Sequence, residues 1–187
     1  MLTENEIIKR CIKLDRQAQK LLYQKYSSVM FGICLRYASD RSEAQDVLQE
    51  GFLKMFLNIQ DFSGLGSFEG WMKRIMINTA ITFYHKNLKY NQQIDIDHVR
   101  ESRISNIEYE TSEYTVEELQ KVITSLPDGY RMVFNLFAIE GYKHKDIGEM
   151  LGIDVNTSKS QYSRARKLIQ KKLLELTDYK SVSGNNE

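Results

Sequence analysis

Apolar residues return every three or four positions along nearly the whole chain, and one proline, Pro127, is all that could break a helix by its ring. Spacing of this kind puts the apolar side chains on one stripe of an α-helix. The ten glycines of this 187-residue chain leave little material for the tight turns that sheets need. An all-α fold is predicted.

The pattern resolves into segments. Residues 17–38 read as one long helix or a helix pair, with Leu21, Leu22, Tyr26, Val29, Met30, Ile33 and Cys34 inward. Asp40 or Ser42 is placed to cap the next helix, because its side-chain oxygen can accept an orphan backbone N–H. That helix carries Ala44, Val47, Leu48, Phe52, Met55 and Phe56 on one face, and DFSGLGS (61–67) follows as a loop. Helix resumes over 68–88, mixing aromatics with bases. A second helical set starts at Val116 or Glu117 with Leu119, Val122, Ile123 and Leu126 inward, and Pro127 and Gly129 end that first helix. Helices over 130–139, 143–150 and 155–176 complete the reading, with a tight turn at Gly141.

Net charge is only +1, but the charge is segregated. Residues 93–118 hold Asp95, Asp97, Glu101, Glu108, Glu110, Glu113, Glu117 and Glu118 against Arg100 and Arg103. Periodicity fades there, as expected of a flexible acidic linker. Residues 155–172 hold Lys159, Arg164, Arg166, Lys167, Lys171 and Lys172 and no acid. Basic charge confined to one element marks a phosphate-binding surface. The expected organisation is therefore two small helical domains, 1–90 and 117–180, joined by a linker over 91–116, with a disordered tail at 181–187. Domains of that size have thin cores and draw stability from partners.

The sharpest local signal is YKHKDIGEMLGIDVNTSKSQYSRARKLIQKK (142–172). A short helix with Ile147, Met150 and Leu151 inward runs into Gly152, which suits the left-handed residue that ends a helix. Ile153 then packs back and Asp154 caps the next helix. Two helices joined so tightly make a helix-turn-helix, whose second helix enters the DNA major groove. Rotation by about 100° per residue puts Val155, Ser158, Tyr162, Ala165 and Ile169 on the packed stripe. Asn156, Ser160, Ser163, Arg164, Lys167 and Lys171 face away, flanked by Lys159 and Gln161. With Thr157, these form the expected DNA-reading surface. Arg and Lys can read guanine, and Asn and Gln suit adenine.

Taken together these residues resemble the sigma-70 family, in its extracytoplasmic-function (ECF) group. The stretch LPDGYRMVFNLFAIEGYKHKDIGEMLGIDVNTSKSQYSRARKLIQ (126–170) is similar to the family's region 4, which reads the −35 promoter element. EAQDVLQEGFLKMF (43–56) resembles the region 2 helix that grips core RNA polymerase, and FSGLGSFEGWMKRIMINTAITFYHKN (62–87) the part that melts and reads the −10 element. Two departures stand out: Asn156 where the family commonly has Gly, and Gly148 where it usually has Ala.

The resemblance assigns roles residue by residue. Asp46, Gln49, Glu50 and Lys54 become contacts to polymerase, where unaided they are an ordinary polar face. Ser63, Gly64, Gly66 and Ser67 fall in the loop that receives a flipped base, and which of them reads it stays open. Trp71, Lys73, Arg74 and Asn78 follow as strand contacts. Physically, a melting surface combines aromatic platforms with cations, and 62–90 offers Phe62, Phe68, Trp71, Phe83, Tyr84 and Tyr90 among Lys73, Arg74, Lys86 and Lys89. Aromatics at helical spacing are equally at home in a core, so for Phe68, Trp71 and Phe83 both readings stand. The implied partners are core RNA polymerase, promoter DNA and an anti-sigma factor.

Catalysis finds no support. His85, His98 and His144 are scattered, with no metal spacing, phosphate loop or nucleophile–base arrangement. His144 reads as a surface or capping residue. No cofactor or metal is expected. Cys11 and Cys34 read as two buried thiols in a reducing compartment, and MLTENEIIKR carries acids where a secretory signal would be basic and then apolar. A cytoplasmic protein is expected. The rival function is a stand-alone helix-turn-helix regulator, which would bind its operator tightly without polymerase.

Overall fold

The computed structural model describes residues 2–91 and 114–183. The described residues form α-helices and no strand: α1 (Glu4–Ile12), α2 (Arg16–Tyr37), α3 (Arg41–Leu57), a 3₁₀ turn (Ile59–Asp61), α4 (Phe68–Asn91), α5 (Val116–Thr124), α6 (Asp128–Phe134), a π-helical turn (Asn135–Ile139), α7 (His144–Leu151) and α8 (Val155–Ser183). The chain divides into two compact units, residues 1–84 and 85–187. Most of the expected linker, 92–113, lies outside the described residues, as do 184–187 of the expected tail. Residues 181–183, expected to be disordered, continue α8 instead.

In the first unit α1 has no counterpart in the sequence reading. It starts at a capping box: Thr3 Oγ1 accepts from the Glu6 N–H, and Glu6 Oε2 accepts from the Thr3 N–H at 2.7 Å. Lys25 Nζ lies 2.5 Å from Glu4 Oε2 and the Tyr26 hydroxyl donates to the same oxygen, clipping α1 onto α2. Asp15 caps α2, accepting from the N–H groups of Gln17 and Ala18. Arg10 closes the corner on Asp15 at 2.6 Å.

α2 is one continuous helix. Leu22, Tyr26, Met30, Ile33 and Cys34 are buried as expected, but Leu21 and Val29 are exposed. Val29 sits at one margin of the buried stripe and Leu21 lies beyond that margin. Asp40, not Ser42, caps α3, and Glu43 folds back onto Ser39. Ala44, Val47, Leu48, Phe52 and Met55 are buried, and Phe56 is half-buried. α3 meets α4 at Gly51, where a β-carbon would stand 2.3 Å from Met76 Sδ. Met72, Met76 and Ile77 carry the core along α4. Each such side chain contributes about 1.5–3 kcal/mol by leaving water.

In the second unit, α8 is the element on which α5, α6 and α7 pack. A second capping box, Thr115 with Glu118, starts α5. The Tyr114 hydroxyl donates to the Leu173 carbonyl at 3.2 Å, tying that start to α8. Arg131 is buried: Nη1 donates to the Thr124 and Leu126 carbonyls, and Nη2 lies 2.6 Å from Asp128. It thereby satisfies carbonyls left over where α5 ends before Pro127. The helix expected over 130–139 is instead α6 followed by a π turn, closed by the Glu140 N–H on the Asn135 carbonyl. Gly141 turns the chain at φ 76°, as expected.

Candidate nucleic-acid interface

The turn between α7 and α8 has the geometry the sequence predicts. Gly152 ends α7 in the left-handed region, φ 66° and ψ 35°, and both its N–H and that of Ile153 point to the Gly148 carbonyl. Asp154 starts α8: its Oδ1 accepts from the Asn156 N–H at 2.7 Å, and its carbonyl accepts from Ser158 at 2.9 Å. Asn156 therefore sits within the first turn, and the helix begins where expected despite the missing glycine.

The two faces of α8 separate cleanly. Ser158 and Ala165 are wholly buried, and Val155, Tyr162 and Ile169 are half-buried. Asn156, Thr157, Lys159, Ser160, Ser163, Arg164, Lys167 and Lys171 are exposed. Gln161 differs from its neighbours: it is half-buried, with Oε1 shut away from solvent. On the helix itself Ser160 donates to the Thr157 carbonyl and Lys171 lies 3.9 Å from Glu175. Surface pairs of that length are weak and yield to a phosphate.

His144 is half-buried at the start of α7 and does not cap it, Lys143 standing at the N-cap. Its Nδ1 is 2.9 Å from Ser158 Oγ, and its ring stacks on Phe137 at 4.2 Å between centroids and 10° between planes. Tyr162 closes the group, 4.5 Å from Phe137. Burial, then the nearby Lys159, holds the imidazole below the usual histidine range. No sequence signal joins these residues, since they come from the π turn, α7 and α8.

In the first unit, the loop before α4 turns on Gly64 and Gly66, at φ 75° and 100°. Between them Leu65 projects, 90% exposed. Ser63 Oγ accepts from the Leu65 N–H at 3.3 Å. Ser67 is engaged in starting α4, its Oγ accepting from Gly70 and its carbonyl from Trp71. The aromatics below the loop divide. Phe68 is core, while Phe62 and Trp71 are half-buried, with Phe62–Phe68 centroids 5.1 Å apart and Phe62–Trp71 5.6 Å. Tyr84 is buried and Phe83 half-buried. Tyr90 lies outside the described side chains.

From Trp71, Arg74, Asn78 and Thr82 fall within about 60° of one line along α4, a spread set by helical geometry. Arg74, Asn78 and Thr82 are exposed. Lys73 points to another side of the helix and is half-buried. An aromatic edge continued by polar and basic groups suits an unpaired strand. Leu65 and Thr82 were not among the expected site residues. A helical rotation of 68–91 would have found Thr82.

On α3, Asp46 and Gln49 are exposed, and Glu50 and Lys54 pair at 3.4 Å. The same stripe carries Leu53 and Leu57, 61% and 75% exposed, which reading it as polar had passed over. They give that face an apolar element among its charged and polar groups.

Residues 22–89 match the family described as Sigma-70 region 2, and residues 116–169 that described as Sigma-70, region 4. Over 191 residues the chain is 30% identical to the RNA polymerase sigma-H factor of Pseudomonas aeruginosa, spanning 94% of this chain and 98% of that protein. The chain belongs to the sigma-70 family. This sigma factor is also 28% identical to the ECF RNA polymerase sigma-E factor of Haemophilus influenzae, over 94% of its own length and 97% of the relative's. Among solved structures it is similar to the sigma factor RpoE of Bartonella quintana, crystallised with the anti-sigma factor NepR, at a TM-score of 0.49, 20% identity, and coverage of 82% and 95%. As a sigma factor of the ECF type it is a transcription initiation factor and not an enzyme. Among the described residues no cluster of His, Cys, Asp and Glu could hold a metal, and no helix is long and apolar enough to cross a membrane.

Proposed function

We propose that this sigma factor directs core RNA polymerase to promoters by reading the −35 element with residues 117–180 and melting and reading the −10 element with residues 1–90. The observation that carries the reading is the outer face of α8: exposed Asn156, Thr157, Lys159, Ser160, Ser163, Arg164, Lys167 and Lys171 on a helix capped by Asp154 behind a left-handed Gly152. Residues near its N-terminus meet base edges, and later bases meet phosphates. Gln161, with its oxygen turned inward, contributes through its amide nitrogen.

At the −10 element, the loop Ser63, Gly64, Leu65 and Gly66 receives an unstacked base, Trp71 offers a platform, and Arg74 and Asn78 follow the strand. Ser67 serves by holding the start of α4, and Lys73 approaches the backbone from the side. Asp46, Gln49, Glu50 and Lys54 dock on polymerase together with Leu53 and Leu57. An anti-sigma factor, acting in the cytoplasm with its target, covers that same exposed face and so keeps polymerase away. Footprinting of the holoenzyme tests the reading. Protection at both elements with permanganate-reactive thymines only at the −10 element is expected, and protection by the free chain alone at nanomolar concentration contradicts it.

A further inference from the structure

We propose that His144 is a positioning residue for promoter recognition, fixing the rotation of α8 about its own axis through the buried hydroxyl of Ser158. The inference rests on the reading of α8 as the −35 helix. Ser158 is 0% exposed and lies one turn into α8, with exposed Thr157 and Lys159 about 100° to either side of it and exposed Asn156 and Ser160 on the opposite side. Its hydroxyl meets His144 Nδ1 at 2.9 Å. The imidazole is held in turn by Phe137, face to face at 4.2 Å, and Phe137 leans on Tyr162, one turn further along the same stripe as Ser158. Tyr162 also stacks with Phe134 at 6.1 Å and 21°.

Each part of this arrangement has a physical consequence. A hydroxyl with no access to water must keep its partner or lose the full desolvation cost, so the His144–Ser158 bond is strongly held. Hydrogen bonds are directional, whereas the apolar contacts of Ala165 and Ile169 tolerate small rotations. On the inner stripe of α8 this bond therefore resists twisting where the apolar contacts do not. The radius of a helix with its side chains is roughly 5–6 Å, so a rotation of about 10° shifts a side-chain tip by about 1 Å. Such a shift is enough to spoil a bidentate contact to a base edge while leaving phosphate contacts intact.

A double-mutant cycle separates positioning from mere packing. H144F keeps a ring on Phe137 but removes the partner of the hydroxyl. S158A removes the hydroxyl. H144N returns an amide nitrogen near the position of Nδ1. The readout is the ratio of holoenzyme transcription from a cognate promoter to that from the same promoter altered at one −35 base, with the melting temperature of each full-length variant measured in parallel. Each single variant should lower the ratio by about three- to tenfold, part of what one bidentate contact discriminates. H144N should keep it within about twofold of wild type by preserving that bond. The variant carrying both H144F and S158A leaves no orphan polar group, so it should recover melting temperature relative to H144F while its ratio stays low. A ratio that recovers along with the melting temperature, or that never moves, overturns the proposal. A wild-type chain with no −35 preference overturns instead the reading beneath it.

Discussion

The carbonyl oxygen of Ile153 approaches the α-carbon of Gly148 so closely that a β-carbon there would stand 2.8 Å away. The carbonyl of Gly148 itself accepts from Ile153 at 3.0 Å, so the last turn of α7 and the turn beyond it are pressed backbone to backbone. The family's usual alanine at this place has no room here. Glycine at this departure from the family pattern admits the close backbone approach of the turn.

Two effects oppose each other in G148A. Alanine gains roughly 0.5–1 kcal/mol of helix propensity, while forcing a methyl against fixed backbone costs about 1–3 kcal/mol. The clash wins, and thermal unfolding should show a net loss of about 1 kcal/mol. A more stable G148A would mean that the turn relaxes freely.

Arg164 and Lys171 share the exposed face of α8 but stand two turns apart. R164A should cost about 1–3 kcal/mol in holoenzyme binding and relax the preference at one −35 base. K171A should weaken all promoters alike and flatten the salt dependence by about one unit. Salt titrations on matched and altered promoters check both, and identical behaviour of the two variants contradicts the division.

Leu53 and Leu57 stand in solvent, so replacing either leaves the fold within about 0.5 kcal/mol of wild type. Both L53D and L57D should nevertheless weaken association with core polymerase by roughly fivefold or more. Fluorescence binding to core polymerase measures this. Unchanged affinity would remove the apolar part of the docking surface.

The acid side of the stability profile has two windows. His144 binds its proton less readily folded than unfolded, because burial and Lys159 disfavour the cation. The unfolded chain thus takes up protons first, and stability falls as pH drops below the ordinary value of 6.5. Glu4 is held below its ordinary 4.5 by hydrogen bonds from Lys25 and Tyr26, so its contribution is lost lower down, as pH falls through the carboxylate range. Denaturant melts at several pH values check the order. H144F should abolish the upper window and leave the lower one.

Local signals in the sequence carried the helix-turn-helix: Gly152 and Asp154 act on backbone groups within a few residues of themselves, so their roles are legible without the fold. The capping box of Thr3 and Glu6 is just as local and went unread, although S/T-x-x-E before an apolar run announces it. Leu21 and Val29 failed for another reason. They lie at or beyond the margin of a stripe, and only the packing of neighbouring helices decides how wide a stripe is covered. The π turn has no composition of its own. The partners of His144 are remote in sequence, so its contacts could not be read from its surroundings along the chain. At the −10 surface, helical phase separates Arg74 and Asn78 from Lys73, and that much the sequence contained.

Run-off transcription with purified core polymerase and this chain tests the central claim most directly. A discrete transcript that needs both the chain and intact −35 and −10 elements, with weak duplex binding by the chain alone, is the predicted result. Firm binding to a duplex by the chain alone, with no start site gained by polymerase, would contradict it.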